Sequence, residues 1–138
     1  MKVLVIDGQG GGMGRALIEA LKKACPDQPV LCVGTNAMAT ASMLRSGAEG
    51  GATGENAVLV NAKDADVILG PVGIVLADAL MGEITPAMAV AVGASRARKI
   101  LLPATNCRVQ IAGTGALSMQ QAVADAVDKY LQWSGEAT

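Results

Sequence analysis

The strongest chemical signal in the chain is the run Asp7-Gly8-Gln9-Gly10-Gly11-Gly12-Met13-Gly14. It follows the apolar, β-branched segment Val3–Ile6 and precedes Met13, Ala16, Leu17, Ala20, Leu21 and Ala24 at helical spacing. Between a strand and a helix, a glycine turn has a mechanism. Missing side chains let a phosphate reach the backbone, and the free amides of the helix N-terminus point at it. The helix dipole adds about 0.3–1 kcal/mol per exposed charge, and several amide hydrogen bonds to an anion add more. Gly8, Gln9, Gly10, Gly11, Gly12, Met13 and Gly14 are therefore the first cofactor-binding candidates. The ligand they suit is a phosphate-bearing nucleotide or dinucleotide.

Two registers fit the turn. A Gly-x-Gly-x-x-Gly fingerprint ending at Gly14 with Gly11 in the middle puts Gln9 where the first glycine belongs. The set Gly8, Gly12, Gly14 resembles the Gly-x-x-x-Gly-x-Gly turn of short-chain dehydrogenases. Those enzymes also use a Tyr-x-x-x-Lys pair, whereas here Tyr130 is followed four residues on by Ser134. A phosphate-cradling Walker loop is excluded, because no Gly-Lys-Ser/Thr ends the run. Asp7 would repel a pyrophosphate unless it points away or holds a cation. As a phosphoryl acceptor it would need a second aspartate at position 9, which is glutamine. A turn that only packs helix against sheet is the plain structural alternative.

In a parallel sheet, ligands collect outside the carboxyl ends of the strands. The second apolar strand, Val30–Val33, ends in Gly34-Thr35-Asn36, without the acid that would bind the ribose diol of NAD. Thr35 and Asn36 suit a ribose hydroxyl or a 2′-phosphate, or cap the next helix, and Arg45 is a distant phosphate candidate. NADP is thereby preferred over NAD. The same side gathers Thr53, Gly54, Glu55 and Asn56, then Gly70, Pro71 and Gly73, and finally Thr105, Asn106 and Cys107. Glu55 is a candidate base or metal ligand, or simply favourable charge in a first helical turn. Asp78, among apolar neighbours, would need a partner if buried. The opposite ends carry charged or proline-marked connections, and this asymmetry is the best argument for a site.

Composition removes other classes. Histidine is absent, which excludes histidine-based triads and histidine-liganded zinc. The three cysteines, Cys25, Cys32 and Cys107, lack metal-site spacing and read as buried reduced thiols of a cytoplasmic protein. A net charge of −1 and only Tyr130 and Trp133 as aromatics leave neither an electrostatic footprint nor a stacking platform for nucleic acid. Neither a signal peptide nor a membrane span is expected: Asp7 interrupts the first apolar run, and the longest uncharged stretch, 29–44, contains Pro, Gly and Asn.

Strand and helix patterns alternate over the 138 residues. Helices are expected over 36–45, 55–64, 73–81 and 86–97, and from Ser118, where Gln121 completes a capping box. Thr85-Pro86 is a strong helix start. Strands are expected at 66–69 and 99–102, with further short ones at 48–52 and 109–112. The implied architecture is one α/β domain, residues 1–134 with a tail at 135–138: a doubly wound, Rossmann-like, mostly parallel sheet with helices on both faces. Segments 73–81 and 86–94 are apolar nearly all round, which points to burial on two sides and a homodimer.

Taken together, Ile6–Gly14, Val33–Asn36, Gly51–Asn56, Gly70–Ile74 and Gly82–Ala89 resemble a family of short bacterial proteins grouped as domain of unknown function 3842. The resemblance implies a Rossmann-like fold and brings no catalytic residues. Three functions follow as expectations: an NAD(P)-linked oxidoreductase or redox sensor, a non-catalytic binding or regulatory module for a phosphorylated metabolite, and a structural homo-oligomer.

Overall fold

The computed structural model describes residues 1–103 and 108–135. The elements are β1 (Val3–Asp7), α1 (Gly12–Ala24), β2 (Val30–Gly34), α2 (Ala37–Arg45), β3 (Gly50–Thr53) and α3 (Glu55–Ala62), then β4 (Val67–Pro71), a 3-10 turn (Val72–Val75), α4 (Pro86–Ala94), β5 (Arg98–Leu102) and α5 (Met119–Ser134). The five strands form one sheet in the order β3-β2-β1-β4-β5, and every pairing is parallel. The chain starts in the middle, winds outward to β3, and crosses through α3 to begin again at β4. The winding therefore reverses between β1 and β4.

Every residue of β1 and β4 is buried, as expected for strands covered on both faces. Alternate residues feed two cores. Val3 and Val5 face Leu17, Ile18, Met43 and the buried stripe Ala122, Val123, Ala126, Val127 and Tyr130 of α5. Leu4 and Ile6 face Val58, Ile74, Ile84, Met88 and Val92. So α1, α2 and α5 cover one face, while α3, the 3-10 turn and α4 cover the other. The α5 capping box is complete, with the Ser118 hydroxyl accepting from the Gln121 amide and the Gln121 side chain accepting from the Ser118 amide. Thr85 caps α4 by accepting from the Met88 amide at 3.1 Å.

Three expectations fail. Residues 73–81 form a single 3-10 turn followed by irregular turns, not a helix. Asp78, Leu80 and Met81 take positive φ values of 65°, 56° and 56°, which no helix accommodates. Uniform apolarity there reflects a segment that lies against the protein without helical phase. Residues 109–112 form no strand, and α4 stops at Ala94 instead of 97. Asp78 is exposed, so it needs no internal partner.

Gly70 sets the closeness of β4 to β1: a methyl group there would collide with the Ile6 carbonyl oxygen. Gly93, on α4, would meet nothing within 4 Å. Gly70→Ala is therefore expected to cost about 1–3 kcal/mol through forced displacement of the sheet. Gly93→Ala should stabilise by about 0.5–1 kcal/mol through helix propensity. Urea denaturation of the two variants checks the contrast, and equal effects would contradict the packing described.

Candidate functional site

The carboxyl end of β1 runs straight into the glycine turn. Asp7, 5% exposed, tucks its carboxylate beneath that turn. One oxygen accepts from the Gly8 amide at 2.7 Å and the other from the Gly14 amide at 2.7 Å. The Asp7 carboxylate is thus directed into the first turn of α1, and the residue also lines the floor of the cavity described below. Burial pushes the Asp7 carboxyl above its ordinary range; the bonds from Gly14 and Gly8 oppose that shift, and the nearby Glu83 charge adds to it.

The remaining amides of the turn divide into two groups. Gly11 donates to the Gly8 carbonyl at 2.9 Å and sits at φ 74°, a left-handed conformation that glycine adopts without strain. Gln9, at φ 51°, donates to Glu83 Oε1 at 2.9 Å. Among the described residues no acceptor meets the Gly10 or Gly12 amide, and a Cβ added at either position would meet nothing within 4 Å. Gly8 and Gly14, by contrast, are packed tightly: a Cβ on Gly8 would lie 2.5 Å from Thr35 Oγ1, and one on Gly14 would lie 2.9 Å from the Asp7 Cβ. Some glycines of the run hold the packing and others present open backbone.

Open backbone faces a cavity of about 940 Å³. Its floor is Asp7, Gly8–Met13, Pro71 and Gly73, at the β1/β4 reversal; its walls are Val75–Met81 on one side and Pro103, Arg108, Val109, Leu117–Met119 and Ala122 on the other. The crevice thus lies where an open α/β sheet is expected to hold a ligand.

The tip of β2 is arranged differently. Glu83, between the 3-10 turn and α4, reaches over Gly8 to this tip. Its Oε1 accepts from the Thr35 hydroxyl, from Asn36 Nδ2 at 2.9 Å, and from the Gln9 amide. Asn36 Nδ2 also donates to the Gln9 carbonyl at 2.9 Å, while Asn36 Oδ1 caps α2 by accepting from the Ala39 amide at 2.9 Å. Burial raises the Glu83 carboxyl, but the bonds from Thr35, Gln9 and Asn36 outweigh it and leave it below its ordinary range. Glu83 is the residue that sequence reasoning missed. Its partner Gln9 is 74 residues away, and no local pattern marks it.

Other candidates disperse. The Thr53 hydroxyl pairs with the Thr40 hydroxyl at 2.7 Å, and Glu55 Oε1 accepts from the Thr85 hydroxyl at 2.5 Å, tying α3 to the start of α4. Gly54 and Asn56 flank Glu55 at the start of α3; Thr53–Asn56 do not line the cavity. Gly70 serves strand packing, whereas Pro71 and Gly73 line the cavity. Arg45 lies in the last turn of α2, at the far end from Asn36. Cys25 and Cys32 are buried, and burial pushes the Cys32 thiol up to about 11, a poor nucleophile. Thr105, Asn106 and Cys107 lie outside the described residues. Among the described residues, no group of three or more Cys, Asp or Glu could hold a metal ion, and none of the helices is long and apolar enough to cross a membrane.

A parallel sheet ordered β3-β2-β1-β4-β5, with its glycine turn at the reversal of winding, defines a Rossmann-like α/β protein. The chain belongs to the family Domain of unknown function (DUF3842), which matches residues 2–134. No protein of curated function matches it. Among solved structures it is similar to a dodecameric FMN-dependent Ubix-like decarboxylase from Escherichia coli O157:H7, at 16% identity and a TM-score of 0.45, over 98% of this chain and 94% of that one.

The direction of the Asp7 shift has a consequence for stability. With its folded pKa raised, Asp7 contributes fully below its unfolded value of about 3.9 and loses that contribution as pH rises through the folded pKa. Asp7→Asn removes the titration and leaves a constant offset. The difference in Tm between variant and wild type should therefore move in the variant's favour from pH 4 to pH 7. Movement the other way would show that the amide bonds, not burial, dominate at Asp7.

Proposed function

We propose that the protein binds a nucleotide through its phosphate, at the amides of Gly10 and Gly12, with the base in the adjoining cavity. One observation carries the reading: the Gly10 and Gly12 amides have no acceptor among the described residues, are unobstructed, and open on a cavity of about 940 Å³ at the β1/β4 reversal. That volume falls within the roughly 300–1,000 Å³ of small-molecule sites. The start of α1 supplies the positive end of a helix dipole. Arg108 lines the same cavity and offers a counter-charge, while Val75, Leu76, Leu80, Val109 and Leu117 offer an apolar wall for a flat ring.

The cavity lies on the β4 side of the turn, and Glu83 covers the β2 side. In this conformation the site suits a mononucleotide, or the phosphate-proximal half of a dinucleotide such as NAD or NADP. The preference for NADP rested on the lack of an acid near the end of β2; Glu83 brings one there, so that basis is gone. Among the described residues the cavity floor presents no paired acid and base. A binding or redox-linked role fits it better.

The outer layer favours association as well. No charged residue occurs in 84–95, and Val60 and Val90 are 53% and 67% exposed on α3 and α4. We infer a homodimer through this layer. Sedimentation should give twice 13.8 kDa for the wild type and 13.8 kDa for Val90→Glu. A monomeric wild type would contradict it.

The nucleotide reading is tested by thermal shift against nucleoside monophosphates, NAD, NADP and sugar phosphates. Gly12→Asp has room for its side chain and places a favourable charge at the helix start, so folding stability should change by no more than about 1 kcal/mol. The same carboxylate would repel a phosphate and weaken nucleotide binding at least tenfold. Retention of the shift in Gly12→Asp would remove the turn as the site.

A further inference from the structure

The donors gathered around Glu83 have a chemistry of their own. A backbone N–H (Gln9), a hydroxyl (Thr35) and a carboxamide N–H (Asn36) converge on a single oxygen, Glu83 Oε1. None of the described lysines or arginines forms an ion pair with this carboxylate. Its charge in turn bears on Asp7, a group of the same sign, whose carboxyl it helps to raise. Neutral donors alone therefore hold an anionic group beside the Gly10–Gly12 backbone, and an anion brought by a ligand would satisfy them equally well.

The segment that delivers Glu83 is built as a separate piece. The Asp78 amide donates to the Ile84 carbonyl at 2.7 Å, and the Ile84 amide donates to the Ala79 carbonyl at 3.1 Å, closing 78–84 on itself. Within that loop Asp78, Leu80 and Met81 occupy the left-handed region, Gly82 sits at φ 89°, and Met81 is 94% exposed. Strain of this kind persists only while the surrounding contacts hold it. Leu80 and Glu83 both lie over Gly8.

We propose that Gln9 N, Thr35 Oγ1 and Asn36 Nδ2 form a second anion subsite, filled in the closed protein by the Glu83 carboxylate, and that a pyrophosphate-bearing ligand takes it by displacing Glu83 with residues 78–84. The inference rests on the reading of Gly10 and Gly12 as the first phosphate cradle, and it extends the ligand class from monophosphates to pyrophosphate esters. Glu83 would then set the choice between the two: it admits a monophosphate freely and makes a pyrophosphate compete for its three donors.

Amide-resolved NMR titrations with inorganic phosphate and inorganic pyrophosphate test the subsite. In Glu83→Ala, pyrophosphate should bind at least tenfold more tightly than in the wild type, with the Gln9 amide and the Asn36 side-chain amide both shifting. Glu83→Gln keeps an acceptor for the donors but loses the charge, so its gain should be smaller and in the same direction. In the wild type, saturating pyrophosphate should accelerate hydrogen exchange across 78–84, a reading independent of either variant's folding. The proposal is overturned if pyrophosphate gains nothing from either substitution, if the gain leaves Gln9 and Asn36 unmoved, or if exchange across 78–84 does not change. Shifts at Gly10 and Gly12 with phosphate report the first cradle separately, so failure there is distinguishable from failure at Gln9.

Discussion

The Asp7 carboxylate joins strand to helix at the point on which the site depends. It accepts from the amide that begins the glycine turn and from the third residue of α1, fixing the angle at which the helix leaves β1. A side-chain cap normally comes from the residue preceding a helix. Here that position is Gly11, which has no side chain to offer, and the cap comes from the end of the strand instead. Because Asp7 satisfies Gly8 and Gly14 from below, the amides of Gly10 and Gly12 are left facing outward. The cost is a buried carboxylate with a raised pKa, tolerated because two short amide bonds meet its two oxygens.

Sheet topology decides where that outward face leads. The reversal between β1 and β4 separates the connections on either side, so a crevice forms above the tips of these strands. In this protein the crevice is divided. Residues 76–85 cross above Gly8 and close the β2 side with Glu83, while the β4 side remains a cavity reaching the start of α5. The division explains why the Gln9 amide is already bound to a carboxylate, Glu83, while the Gly10 and Gly12 amides on the cavity side have no acceptor among the described residues.

Much of the fold was legible because strand and helix impose different periods on apolar residues. The buried runs Val3–Ile6 and Val30–Val33 and the α5 stripe ending at Tyr130 are local patterns, and all three fall where the sequence places them. The edge strand β3 was nearly hidden, since Gly50-Gly51-Ala52 carries hardly any side chain to show alternation. Segment 73–81 resembles a buried helix in sequence because it is apolar without phase; only the left-handed backbone at Asp78, Leu80 and Met81 distinguishes it. At the site, the glycine turn and the Asn36 cap were visible, since each acts on its immediate neighbours. Glu83 was not, because it meets Gln9, Thr35 and Asn36 only through tertiary structure. The fate of Asp7 was equally unreadable: its residue type announces a charge, and only the direction of the side chain shows that the charge serves the turn rather than a ligand.

On the proposed reading, the Gly10 and Gly12 amides receive a ligand's phosphate. Mapping backbone amide shifts during titration of the wild-type protein with a 5′-nucleoside monophosphate tests it most directly. The largest changes are expected on Gly10 and Gly12, accompanied by Leu80 and Leu117 from the cavity wall. A ligand that binds while those two amides stay fixed, or a protein that shows no response at millimolar nucleotide, would overturn that reading.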